Sequence, residues 1–559
     1  MRGSKGLIGL VLGLMVGCGE AAVSPAAAPR SPPPPAVPAA SATSSTAPQA
    51  ATPDPFALPA GPRDEPAKAP GSAALRLDAW DAAIKAKGVA ASPAECAAYA
   101  KRVPAKPGPG EVAADLIAAL ATKDKAKADA MLMAVEPKLD AADPGVVRAL
   151  RADLAPGHCA DVIVDPYLAA HRGTNSRASH VLVGLSLAAK LARTGAGKPS
   201  MGAVREKEKV KAFIGGPLKA WMVEQSTAIE TLASGAAGLT GYGRGIAALE
   251  AGIADLRLVE IIRNAPIPPS WDPELKAIYQ SSLDEALEPR KKRGRDAALV
   301  GLGDLAQTGV RYDTRTHAAH ALLTSLYGGR RIDALWDLMV PQAPDPAPTT
   351  PLQAAVGNVA PYWVDMLALG STNDADLASE MVRGAPLSMR AVFAGAQGQN
   401  VKPEVRAAYA HTRFQMGQTS WRRVDFVEAA YAAKQGGAPE DRLILALSLA
   451  LAQGPNGPAE MMRAPSASTL DLIHTDALDA LVAEGGPLAG WAAFDAAHLR
   501  SLSAPDGPEA GPYFHAVAAR FRKAESLLTD AAKKKSALKR AEETDAIVAA
   551  VDQARLPKP

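Results

Sequence analysis

The chain has 559 residues, 48% of them hydrophobic and 4% aromatic, and a net charge of +3 from 61 basic and 58 acidic side chains. That near balance excludes the basic excess expected of a nucleic-acid-binding surface, so no nucleic-acid partner is expected. The alanine-rich composition, with almost no alternating Val/Ile/Thr runs, excludes a sheet core and predicts an all-α body of closely packed helices.

In chain order, Met1–Lys5 carries Arg2 and Lys5, and residues 6–17 form an apolar run. A run of that length falls short of the roughly 20 residues needed to span a bilayer. With its basic flank it reads as a removable export signal over residues 1–17. The run ends in Met15-Val16-Gly17-Cys18, which resembles the lipobox of bacterial lipoproteins. The resemblance implies that Cys18 is acylated, palmitate included, and holds the protein to a membrane through its acyl chains. Gly19 stands where an aspartate would favour inner-membrane retention, so the resemblance leans toward the outer membrane, facing the periplasm.

Residues 18–72 are rich in Ala, Pro and Ser and include Pro32-Pro33-Pro34-Pro35. Such a segment buries too little to offset its ordering entropy and is expected to act as a semi-stiff, disordered tether. Helical patterning begins near residue 73, with Leu75, Ala79, Trp80 and Ile84 on one face and Gly88 as terminator. Pro/Gly breaks follow around residues 107–110, 143–145, 155–157, 195–200 and 215–217. The 3-4-3 spacing of Ile246, Leu249, Ile253 and Leu256 predicts a helix over Tyr242–Asn264. Helices are also predicted over Trp271–Lys292, Ala297–Gln307, Thr314–Tyr327 and Ile332–Met339. A proline-rich linker at 341–352 divides the body into lobes at 73–340 and 353–559. The second lobe is predicted to hold helices over Glu404–Met416, Arg422–Lys434 and Asp441–Ala452, then a long pair within Pro512–Val551.

Short helices joined by short turns suit an irregular α-solenoid or helical-repeat bundle. Tyr513 to Leu528, and Ile278 to Leu299, each resemble one tetratricopeptide-type helix pair in degenerate form. That resemblance implies a surface able to grip other proteins; an irregular bundle without a groove remains the alternative. Cys96 and Cys159, the two body cysteines, are expected to pair in an oxidising compartment, with separately buried thiols as the alternative.

Chemistry-bearing patterns are sparse. Gly195 to Ser200 lacks the upstream glycine and leading strand of a phosphate loop, and Gly241 to Gly245 reads as a flexible helix start. Ser536-Ala-Leu-Lys539 has no partner motifs, and Glu525-Ser526 lacks the setting it has in lytic transglycosylases. His317 and His320 near Asp313 have ligand spacing without a supporting motif. The basic runs Arg290–Arg293 and Lys533–Lys535 read as solvated helix faces. No catalytic residue, metal site or cofactor is therefore assigned. The expected function is that of a lipid-anchored scaffold or assembly factor for envelope proteins. A peptidoglycan hydrolase is the main alternative, and a small-molecule or lipid carrier a further one.

Overall fold

The computed structural model describes residues 54–59 and 77–555, apart from short internal stretches, of which 371–380, 392–400 and 454–472 are the longest. The export signal, Cys18 and most of the tether segment lie outside the described residues. Among the described residues the protein is all-α and contains no strand.

The first half comprises α1 (Leu77–Ala83), α2 (Val112–Ala121), α3 (Lys125–Leu139), α4 (Val146–Leu154), α5 (Ala160–Ala170) and α6 (Ser179–Ala192). It continues with α7 (Lys207–Phe213), α8 (Lys219–Gly235), α9 (Gly241–Arg263), α10 (Pro273–Gln307) and α11 (Thr314–Leu326). The second half holds α12 (Pro351–Val356), α13 (Pro361–Gly370), α14 (Pro403–Ser420), α15 (Arg423–Ala433) and α16 (Pro439–Leu451). It ends with α17 (Asp476–Glu484), α18 (Ala489–Ser501), α19 (Ala510–Leu527) and α20 (Ala531–Arg555).

The core centres on α9, which packs against α6, α8, α10 and α11. It is buried on nearly all sides, as a helix apolar around most of its circumference must be. Glycines set how closely its neighbours approach. A Cβ on Gly243 would lie 2.1 Å from the His180 carbonyl oxygen, and one on Gly252 2.4 Å from the Ala298 nitrogen. Gly243 and Gly245 thus serve close packing, Gly245 against Leu305, whereas Gly241 has open space around it and starts the helix at a positive φ of 53°.

The helices expected at 271–292 and 297–307 are one continuous helix, α10. Asp272 caps its start by accepting from Leu275 N–H at 2.7 Å, and Pro273 occupies the first turn, where its missing N–H costs nothing. Pro289 lies inside α10 without ending it; it and Glu285, whose carbonyl loses its partner, are both exposed to water. The segment Ile278–Leu299 is accordingly part of a single helix rather than a helix pair. Tyr513–Leu528 forms most of α19, which pairs with α20.

Other expectations are corrected in the same way. Gly215-Gly216-Pro217 does not break the chain, because a wide turn over Ile214–Leu218 joins α7 to α8. Among the described residues of 332–339 a single tight turn forms, Ala334–Asp337, in place of the expected helix. The run at 290–293 is not simply a solvated face. Arg290 and Arg293 both donate to the buried Asp255 carboxylate of α9, at 2.6 and 2.7 Å, and Lys291 lies over the Tyr327 ring at 4.3 Å.

One apolar cluster runs from Trp80 to Leu499, and therefore includes residues on both sides of 341–352. Polar contacts cross as well: His320 Nε2 lies 2.9 Å from the Thr419 carbonyl, and Asp495 accepts the Met339 N–H at 2.7 Å. A smaller cluster around Phe494, Val517 and Phe521 joins α18, α19 and α20.

Residues 54–59, inside the segment expected to be tether, are packed onto the second half of the body. Asp54 opens a turn by accepting the Phe56 N–H through its side chain and the Ala57 N–H through its carbonyl. Phe56 and Leu58 are half-buried against the main cluster. For these residues the expectation of an unstructured tether is corrected.

Candidate functional site

One concavity among the described residues is a cavity of about 850 Å³ walled by α2, α3, α4, α9, the start of α11 and the turn before α13. Its lining includes the Asp153 carboxylate, near the end of α4. One oxygen accepts from the Tyr242 hydroxyl at 2.8 Å and from Trp363 Nε1 at 2.7 Å; the other accepts from Arg315 Nη1 at 2.8 Å. Tyr242 stacks on Tyr362 with centroids 4.5 Å apart and meets the Trp363 ring edge-on. Burial, and then the Asp153 charge, push the Tyr242 hydroxyl well above its ordinary pKa, so it stays a neutral donor. Asp313 starts α11 with a reciprocal cap to Thr316, which orients the turn carrying Arg315.

A second charged group, between α4 and α3, also lines the cavity. Arg151 is 2% exposed and donates to Asp129 at 2.7 Å and Glu136 at 2.9 Å; Arg102 adds a second donor to Asp129 and Arg148 one to Glu136. Buried charges need such partners, because removing either sign from water without compensation is unfavourable. Lys123 and Lys125 line the cavity as exposed side chains.

Glu250 also lines the cavity, half-buried on α9. Its nearest cation is Arg257, 3.4 Å away, which also donates to the Ala192 carbonyl. Burial raises the Glu250 pKa, and Arg257 only partly opposes this. Within the cavity it is the carboxyl group best suited to giving up a proton, since Asp153 already accepts from a guanidinium, an indole and a phenol.

The residues singled out in the sequence lie elsewhere. Cys18 falls outside the described residues. Cys96 and Cys159 are joined in a disulfide with Cα atoms 5.1 Å apart, both sulfurs fully buried. His158 brings a third donor atom within 4.8 Å of those sulfurs, but the sulfurs are bonded to each other, and His158 Nε2 lies 3.0 Å from Glu95. His320 is buried between the rings of Trp336 and Trp421, and burial lowers its pKa to about 4. His320 is thus a neutral core residue, bonded to the Thr419 carbonyl rather than paired with His317 around an ion. Gly195–Ser200 is a loop in which Lys198 reaches the Ile261 carbonyl. Glu525 and Ser536 lie on α19 and α20, away from the cavity. Sequence reasoning did not find Asp153, Tyr242, Arg315 and Trp363, because no local spacing links residues so far apart. No family model, curated protein or solved structure matches this chain.

Proposed function

We propose that the chain is a lipid-anchored cell-envelope protein whose helical body serves as an interaction scaffold or assembly factor for other envelope proteins. The observation that carries this reading is Met15-Val16-Gly17-Cys18 at the end of a basic start and a short apolar run. An all-α body with a cavity and a long Pro/Ala-rich connection to the anchor is consistent with it. Several acyl chains give stable anchoring where one gives marginal anchoring, and a tether raises the local concentration of weak partners at the membrane. By the same resemblance the anchor lies in the outer membrane and the body faces the periplasm. Wild-type protein is expected to incorporate labelled palmitate and to partition into detergent, and Cys18→Ala to do neither. Equal labelling of the two would remove the lipoprotein reading, and crosslinking in cells would identify the partners.

A second reading, a peptidoglycan hydrolase, is favoured by one observation: Glu250 in the cavity, its carboxyl raised by burial. A raised pKa keeps the proton available nearer neutral pH, as a general acid requires, and that capacity is lost as pH rises through the raised value. On this reading Glu250→Gln abolishes release of fragments from purified peptidoglycan. On the scaffold reading the wild type releases none.

A further inference from the structure

The docked segment at 54–59 shows how it is held. Lys434, at the end of α15, donates to the Phe56 carbonyl at 3.0 Å and stands 4.0 Å from the Asp54 carboxylate. Arg442 of α16 lies over the Phe56 ring at 5.5 Å, and the Lys434 ammonium approaches the same ring at 6.0 Å. Tyr431 donates to the Pro59 carbonyl at 3.5 Å. Asp54 and Pro55 occupy the first two positions of a turn, the places where aspartate and proline prepay its geometry. The turn leaves Phe56 pointing between two cations.

We infer that the surface formed by Tyr431, Lys434 and Arg442 is a recognition site for short turn segments reading acidic–proline–aromatic, which this chain fills with its own Asp54-Pro55-Phe56. Three features carry the inference. Between them the groups of the site read a charge, two carbonyls and a ring face: Lys434 the Asp54 carboxylate and the Phe56 carbonyl, Arg442 the ring, and Tyr431 the Pro59 carbonyl. Lys434 and Arg442 are themselves about two-fifths exposed, at 40% and 42%, so the contacts are of the exchangeable kind made at protein surfaces rather than in cores. The segment lies 372 residues before Tyr431, so it reaches the site as a ligand does and not as the next element in the chain. Its covalent link to α1 supplies it at an effective concentration on the order of millimolar, which masks the site from outside segments. The partner that fits is therefore a second copy of this chain, which presents the same Asp54-Pro55-Phe56 turn.

The test uses the full chain in detergent and a fluorescein-labelled peptide of residues 52–61, read by fluorescence anisotropy. Phe56→Ala unmasks the site and is expected to bind the peptide saturably, with the wild type weaker by at least about tenfold. In the Phe56→Ala background, Lys434→Ala and Arg442→Ala are each expected to weaken binding by about tenfold, as losses of ring and carbonyl recognition. Glu484→Gln, which removes the other partner of Arg442, keeps it. A peptide with its phenylalanine replaced by alanine is expected not to bind. A wild type that forms dimers, dissociated by Phe56→Ala, also supports the site, with a second copy as occupant. No saturable binding to Phe56→Ala overturns the proposal. So does equal binding to wild type and Phe56→Ala, or binding indifferent to Lys434 and Arg442 in variants whose melting temperature stays within about 2 °C of the parent.

Discussion

Asp153→Ala is expected to lower the stability of the body by about 3–5 kcal/mol, the usual cost of removing one member of a buried ion pair. The substitution leaves three donors facing the space it vacates: the Arg315 guanidinium, the Tyr242 hydroxyl and the Trp363 indole N–H. The Asp153 and Arg315 side chains are only 8% and 21% exposed, so water compensates little. Asp153→Asn keeps the shape and one acceptor oxygen and should lose less. Combining Asp153→Leu with Arg315→Met, which removes both charges, should recover part of the loss. Urea midpoints read by circular dichroism measure all of these. A loss below about 1 kcal/mol for Asp153→Ala would mean that the cluster relaxes or hydrates freely.

Replacing both Cys96 and Cys159 with serine is expected to lower stability by about 4 kcal/mol, through release of a loop with a sequence separation of 63 in the unfolded chain. The folded state should change little, because other bonds hold the same place: Arg193 donates to the His158 carbonyl and, at 2.8 and 2.6 Å, to both oxygens of Asp161. Both sulfurs are buried, so a thiol reductant should act slowly on the native protein and quickly in urea. The reduced wild type should then melt with the serine variant. Unfolded, unreduced protein that alkylates at both cysteines would show that the bridge is missing from the isolated molecule.

Much of the helical architecture is legible in the sequence, because it rests on local rules. The stepping of Ile246, Leu249, Ile253 and Leu256 places α9 within one residue of its observed ends, and the helices expected over Thr314–Tyr327 and Arg422–Lys434 are equally well placed. What is not legible depends on neighbours distant in sequence. Pro289 usually marks a helix boundary, yet α10 passes through it while its buried face is held against α9 by Gly252, Gly294 and Gly301. Arg290 looks like a surface cation until Asp255 of α9 is placed beneath it. Phe56 sits in a proline-rich stretch whose composition signals disorder, and its place comes from the main apolar cluster and the cations at α15 and α16. The cavity is hidden for the same reason. Asp153 is an ordinary aspartate near a helix end, and each donor to it belongs to a different helix.

The Asp153 cluster also bears on the order in which the chain becomes complete. Its donors Tyr242, Arg315 and Trp363 follow it by 89, 162 and 210 residues, and a ribosome delivers residues from the N-terminus onward. At about 5–20 residues per second, Trp363 is synthesised roughly 10–40 s after Asp153. For that interval a nascent chain can collapse its early helices but carries an acid whose final place inside them would be incompletely paired. The central acid is therefore fully paired only when a residue beyond the proline-rich stretch is in place, so the first half cannot complete its own cluster.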